Sequence, residues 1–272
     1  MSDKNEMPYE YAVEELYINR DGRQLYGVVY IPQNAREEKM PAVIFSHGFD
    51  GSYQGSERYA RILAENGYVC YRFDFSGGST GSRSDGSTME MSLFTEKADL
   101  ESVINKIRSL AYVDSENLFL IGASQGAVVS AITGAKHSEK IRGMVLIYPA
   151  FVMVEDAKRL FGSADKIPQS YSLMGMNVGR NYFEPLFHYD IYQDIESYVK
   201  DVLIIHGDAD TTAPITYSRQ ALHVYAAAEL KVMPGAGHGF SKTDAQQAMN
   251  WILEYLQKQK IKFYQSFRRN LL

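Results

Sequence analysis

The sequence predicts an α/β protein: a doubly wound, mostly parallel sheet with a cap inserted after the sixth strand. Three observations predict it. Short apolar runs such as Ala42-Val43-Ile44-Phe45 and Leu118-Phe119-Leu120-Ile121 show no polar alternation, as expected of strands buried on both faces. Stretches with helical spacing alternate with those runs, which is the rhythm of parallel strands joined by helices. One aromatic-rich segment, 151–193, separates two predicted strands by far more than an ordinary connection.

The elements follow in order. Val13 to Asn19 and Gln24 to Ile31 read as strands, with the hairpin turn signal Asp21-Gly22 between them. They form an antiparallel edge. An acidic loop spans Arg36 to Lys39. The third strand, Ala42 to Phe45, runs into Ser46-His47-Gly48. Arg58 to Asn66 is a helix stopped by Gly67, and Tyr68 to Phe73 is the fourth strand. Leu93 to Leu110 is a long amphipathic helix. Asn117 to Ile121 is a strand, Gln125 to Ala135 a helix of small residues, and Gly143 to Tyr148 the sixth strand. The 151–193 segment carries Phe151, Phe161, Tyr171, Tyr182, Phe183, Phe187, Tyr189 and Tyr192, too aromatic for disorder, and reads as a cap over a pocket. Val202 to Ile205, a helix from Pro214 to Ala228, the strand Leu230 to Met233 and a helix from Ala245 to Gln257 complete the pattern. The whole chain reads as one domain, with no repeat, low-complexity tract or linker.

Composition bounds the function. The 272 residues are 45% hydrophobic and carry a formal net charge of −5, as an ordinary globular chain does. Enough apolar surface exists to offset ordering entropy. The mild negative charge gives no pull toward nucleic acid. No apolar run is long enough to cross a bilayer. The polar, acidic N-terminus lacks a signal-peptide pattern, so a cytoplasmic or already processed chain is expected. The single cysteine, Cys70, excludes an internal disulfide framework and reads as a small buried hydrophobe. No pair of histidines has ligand spacing on a helix, so no metal is expected, nor any other cofactor.

The chemistry concentrates in Gly122-Ala123-Ser124-Gln125-Gly126. A strand precedes it and a helix follows, the context of a nucleophile elbow. Glycines on either side leave room for neighbouring backbone, and the helix N-terminus favours negative charge. A serine nucleophile needs a base oriented by a carboxylate, in the chain order serine, acid, histidine. Val202 to Ile205 ends in His206-Gly207-Asp208-Ala209-Asp210, and the next strand is followed by Pro234-Gly235-Ala236-Gly237-His238. Both loops lie past strand ends, where a parallel sheet gathers its site. His238 is the base candidate. His47 and His206 close strands and suit structural backbone bonds, His137 and His223 lie on helices facing solvent, and His188 lies in the cap. Asp210 is the better placed acid; Asp208 suits a turn bonded to its own backbone. Oxyanion donors are expected from the backbone N–H groups of Gln125 and Phe49. The Asp74-Phe75-Ser76-Gly77-Gly78-Ser79-Thr80-Gly81 connection after the fourth strand lacks a phosphate-binding pattern and is read as pocket rim.

With these residues in hand, the motifs His47-Gly48-Phe49, Arg72-Phe73-Asp74-Phe75, Gly122 to Gly126, His206 to Asp210 and Gly235 to His238 resemble the α/β-hydrolase superfamily, from about residue 10 to 257. Within it the chain looks like the bacterial cinnamoyl (feruloyl) esterases. The resemblance implies a triad of Ser124, His238 and Asp210, an oxyanion hole at Phe49 and Gln125, and cap groups at Asp156 and Tyr182 that receive the phenolic end of a hydroxycinnamate. The sequence departs from the family at Ala123, often histidine there, at Ala127, often glycine, and at Ser76 to Ser79, usually Asn-Gly-His-Gly. The expected function is a serine carboxylesterase acting on a small-molecule ester. The alternatives are a small serine peptidase of the same fold and a non-catalytic binding module. The basic and apolar C-terminus, Lys258 to Leu272, suits a homodimer contact, a membrane-surface helix or an extension packed on its own domain.

Overall fold

A computed structural model describes residues 8–269. The chain begins with a hairpin of β1 (Tyr11–Arg20) and β2 (Arg23–Pro32). Its turn residues Asp21 and Gly22 both have positive φ, as a two-residue hairpin connection with right-handed twist requires. Then come β3 (Met40–Ser46), α1 (Glu57–Glu65), β4 (Val69–Phe73), α2 (Leu93–Arg108), β5 (Val113–Ala123), α3 (Gln125–Lys136) and β6 (Gly143–Ile147). The segment after β6 holds α4 (Met153–Phe161), β7 (Ser170–Leu173), β8 (Met176–Gly179), α5 (Arg180–Phe183) and α6 (Ile191–Glu196). The chain closes with β9 (Val202–Gly207), α7 (Ile215–Val224), β10 (Ala228–Met233) and α8 (Lys242–Arg269).

Eight strands form one sheet in the order β1-β2-β4-β3-β5-β6-β9-β10. β2 meets β4 antiparallel, and all pairs from β4 to β10 are parallel. The missing alternation has a direct cause. Leu118 and Leu120 join the core under α2 and α3, while Phe119 and Ile121 join the core under α1 and α8. Each strand therefore feeds two apolar layers, and neither face can be polar. Helix α2 starts with a reciprocal cap between Ser92 and Thr95, which satisfies N–H groups a helix start leaves without partners. Cys70 is buried as expected, and its thiol is pushed well up by burial.

Several expected boundaries move. The helix expected to run to Ala228 stops at Val224, because Ala228 pairs with Val202 and opens β10. The cap contains a short hairpin, β7–β8, that no sequence pattern announced. Its strands have four residues each; β7 is largely exposed, while Met176 and Val178 of β8 are buried. Helix α8 runs on to Arg269 rather than stopping near Gln257. The side chains from residue 262 onward, on which the expected C-terminal contact largely rests, lie outside the described residues. Among the described residues no helix is long and apolar enough to cross a membrane.

Candidate active site

The site is built where β5 turns into α3. Ser124 sits at φ 54° and ψ −121°, a strained backbone for a residue with a side chain. Two features hold it there. Its N–H donates to Ile147 O at 2.9 Å, and its carbonyl accepts from Ala150 N–H at 3.1 Å. The flanking glycines permit the turn. A Cβ on Gly122 would collide with the Gly126 carbonyl, and one on Gly126 would collide with the carbonyls of Ser46 and His47. The small residues around the elbow are thus fixed by backbone running against backbone.

Three distant stretches then meet. Ser124 Oγ lies 2.8 Å from His238 Nε2, and His238 Nδ1 lies 2.8 Å from Asp210 Oδ2. Asp210 can only accept, so His238 donates from Nδ1 and receives the Ser124 hydroxyl at Nε2. The carboxylate is fully enclosed. Its Oδ1 accepts N–H bonds from Thr212 at 2.9 Å and Ala213 at 2.8 Å. A second imidazole, His206, reaches Asp210 Oδ2 at 3.2 Å and the Ala213 carbonyl at 2.7 Å through Nε2. Both partners accept, so Nε2 carries the proton and Nδ1 receives the Ser218 hydroxyl at 2.7 Å. Burial pushes the His206 pKa down and keeps this ring neutral. His206 therefore makes a backbone bond, as expected of it, and also braces Asp210. Asp208 does not bond its own turn. Its Oδ1 accepts the Gly235 N–H at 2.6 Å and ties the β9 loop to the loop that carries His238.

The loop after β3 lies against the serine. A Cβ on Gly48 would lie 3.0 Å from Ser124 Cβ, so any other residue here would crowd the serine. His47 fixes the next peptide plane. Its Nδ1 donates to Gly48 O at 2.8 Å, while Nε2 accepts the Phe75 N–H at 3.1 Å. Gly51 N–H also donates to Gly48 O, at 3.0 Å. In a trans peptide the C=O and the following N–H point oppositely, so the Phe49 N–H faces away from His47. Burial lowers the His47 pKa, which keeps the ring in the neutral form this bonding needs. On the other side, Gln125 is the first residue of α3 and its N–H has no acceptor within the helix.

These groups open into a cavity of about 520 Å³ lined also by Tyr148, Met153, Leu160, Leu173, Met174 and Phe183. Tyr148 packs edge-on against the His238 ring. The cap residues fall on this cavity. Asp156 lines it and is ion-paired with Arg159, also a lining residue. Burial raises the Asp156 pKa, opposed by that guanidinium. Tyr182 lines it too, but its hydroxyl donates to Gln125 Oε1 at 2.6 Å. Among the residues that line this cavity, none comes from the Ser76 to Gly81 loop, so that loop is not its rim. It is drawn instead toward α2, where Ser76 N–H donates to Asp99. Among the described residues no group of three histidine, cysteine, aspartate or glutamate side chains could hold a metal ion.

The sequence reading missed Glu96, Arg159, Tyr148 and the bracing role of His206. Glu96 had a usable signal, because it falls on the same helix face as Leu100, Val103 and Ile107. A carboxylate inside an apolar stripe is a candidate buried group. Arg159 had none, since a lysine–arginine pair on an amphipathic helix reads as solvated.

A nearly all-parallel sheet with a strained serine turn at its carboxyl edge and a cap above it defines an α/β hydrolase. Residues 37–178 match the family model described as serine aminopeptidase, S33 (Hydrolase_4), and the chain belongs to that family. It is similar to Est1E from Butyrivibrio proteoclasticus with ferulic acid bound, at 26% identity and a TM-score of 0.81, covering 90% of this chain and 99% of that one. It is similar in fold to the α/β hydrolase GrgF from Penicillium sp. sh18, at 16% identity and a TM-score of 0.73, over 92% and 99% of the two chains. A curated protein of Synechocystis sp., provisionally named a non-heme chloroperoxidase, is 23% identical over 261 residues, covering 79% of this chain and 91% of that one.

Proposed function

We propose that this hydrolase is a serine carboxylesterase whose nucleophile is Ser124, with His238 as base and Asp210 as its orienting acid. The observation that carries the reading is the unbroken row from Ser124 Oγ through His238 to Asp210, with both steps at 2.8 Å. A hydroxyl that donates to an imidazole, itself held by a buried carboxylate, is the arrangement that makes a serine oxygen nucleophilic. His238 Nε2 takes the proton as Ser124 Oγ attacks the ester carbonyl. The N–H groups of Phe49 and Gln125 receive the oxyanion. His238 returns the proton to the leaving alcohol, and water repeats the sequence on the acyl-enzyme.

The cavity walls support one substrate class. Phe49, Met153, Tyr182 and Phe183 supply apolar and aromatic surface, and Asp156 with Arg159 supplies polar groups. That combination suits an aromatic acyl group with a polar substituent, such as a hydroxycinnamoyl ester. The ferulic acid bound to Est1E supports the same choice. Asp156 is the cavity-lining carboxylate available to a phenolic hydroxyl once Arg159 yields it.

A second reading, a small aminopeptidase, is favoured by the family description. There Asp156 would receive a substrate ammonium. Steady-state hydrolysis of methyl ferulate, p-nitrophenyl butyrate and an aminoacyl anilide separates the two. The ester reading expects methyl ferulate to have the highest kcat/KM and Ser124→Ala to abolish turnover of all three. Preferred cleavage of the anilide overturns the substrate assignment, and an active Ser124→Ala overturns the mechanism.

A further inference from the structure

Three buried side chains from separate parts of the chain join end to end beside the cavity. The Tyr182 hydroxyl of α5 donates to Gln125 Oε1 of α3 at 2.6 Å. Gln125 Nε2 donates to Glu96 Oε2 of α2 at 2.8 Å, with Met91 Sδ at 3.7 Å beside it. The three are 6%, 2% and 1% exposed. Glu96 Oε1 has no hydrogen-bond partner among the described residues. At the other end, the Tyr182 ring stands edge-on against Phe49, with centroids 5.7 Å apart. The row thus runs from a core carboxyl to both residues assigned to the oxyanion hole, and the cap is tied in between.

Packing alone gives no reason for a carboxyl at position 96. A leucine would fill the volume without the cost of a half-satisfied buried polar group. The neighbouring charges are engaged elsewhere. Asp99, one turn on along α2, is ion-paired with Arg20 of β1 and accepts the Ser76 N–H. Asp156 of α4, on the Tyr182 side, is held by Arg159. Glu96 is left with the amide of Gln125, whose two ends are both occupied and which therefore cannot swing into the cavity.

We infer that Glu96 is a positioning residue for acyl-group selection: through Gln125 it fixes Tyr182, and with it the aromatic wall shared with Phe49. This rests on the esterase reading above. A ring held at both hydroxyl and edge presents a wall of one shape. A bulky aromatic acyl group meets that wall, whereas an acetyl group does not reach as far.

The test is a double-mutant cycle. Glu96→Leu breaks the row and keeps the volume, Tyr182→Phe removes one oxygen, and the pair is combined; Glu96→Gln is the conservative rescue. kcat and KM are measured for methyl ferulate and p-nitrophenyl acetate, and urea midpoints are taken for every variant. Each single break is expected to lower the ferulate-to-acetate ratio of kcat/KM about tenfold, chiefly through KM, the scale of one lost buried hydrogen bond. The double variant should also stay near a tenfold change, and Glu96→Gln should keep the ratio within about twofold. An additive double variant, an equal loss on both esters, or a Glu96→Gln as selectivity-poor as Glu96→Leu overturns the inference. Should Glu96→Leu fail to fold, an unchanged ratio in Tyr182→Phe overturns it alone. If the wild type turns over neither ester, the esterase reading falls. The urea midpoints still decide the row: coupled effects support it and independent ones overturn it.

Discussion

Asp210→Asn is the sharpest perturbation of this site, because the structure dictates how an asparagine must sit. Four N–H donors converge on the carboxylate: Thr212 and Ala213 on Oδ1, His238 and His206 on Oδ2. An asparagine keeps one acceptor oxygen and brings an NH₂ group. If that NH₂ faces Thr212 and Ala213, two buried backbone donors lose their acceptor, and backbone has no other tautomer. Each costs about 1–3 kcal/mol. If it faces the histidines, His238 can move its proton from Nδ1 to Nε2 and accept. The second arrangement is cheaper, and it leaves His238 presenting an N–H, not a lone pair, to Ser124. Loss of the base by tautomer exchange lowers kcat by about 10⁴, or about 5.4 kcal/mol on the barrier. KM should stay within about threefold, since substrate contacts are untouched. The assay is p-nitrophenyl butyrate hydrolysis beside circular dichroism to verify folding. Asp208→Asn, which keeps an acceptor oxygen for the Gly235 N–H, should stay within about tenfold of wild type. A folded Asp210→Asn enzyme within tenfold of wild type, or an Asp208→Asn variant about 10⁴ down, refutes the reasoning.

Two further outcomes test the frame around the site. Gly126→Ala drives a methyl into the Ser46 and His47 carbonyls, so α3 must part from β3; thermal unfolding should drop by roughly 3–6 °C for the roughly 2–3 kcal/mol of overpacking, while Gly55→Ala, with open space around it, should move it by no more than about 1 °C. Burial pushes the Glu96 pKa up to about 8, opposed by the Gln125 hydrogen bond and helped by the like charge of Asp99. The folded protein then keeps a proton that the unfolded chain releases near pH 4.5, so stability contributed here falls as pH rises from about 5 to 8, by up to about 1.4 kcal/mol per unit. Glu96→Gln removes that slope: urea midpoints of wild type and variant should diverge in the variant's favour toward pH 8, and parallel curves would contradict the burial argument.

Much of this architecture was readable in the chain itself, and the reasons are local. The turn from β5 into α3 is local: Gly122 is forced by the backbone of Gly126 and Ala127 one turn on, and Gly126, pressed by the β3 carbonyls of Ser46 and His47, falls four residues later, so the elbow leaves a pattern in consecutive residues. His238 and Asp210 were legible because a parallel sheet delivers every loop after a strand to the same edge. What escaped was decided by contacts remote in sequence. Ala226-Ala227-Ala228 favours helix, yet pairing of Ala228 with Val202 makes it strand. The β7–β8 hairpin is short, four residues a strand, and its turn at Met174-Gly175 is set by positive φ at both residues, only one of them glycine. Glu96, Gln125 and Tyr182 each have an ordinary local reading, and their meaning comes from touching one another.

The central claim is that the Ser124 oxygen is the atom that attacks. Intact-mass spectrometry after exposure to a p-nitrophenyl dialkyl phosphate tests it most directly, because such a reagent traps an activated serine by forming an oxygen–phosphorus bond and expelling p-nitrophenolate. The account predicts one adduct on the wild-type chain, located on Ser124 by peptide mapping, none on Ser124→Ala and severely slowed labelling of His238→Ala. A wild-type protein that stays unmodified, or one labelled equally well after Ser124→Ala, contradicts it.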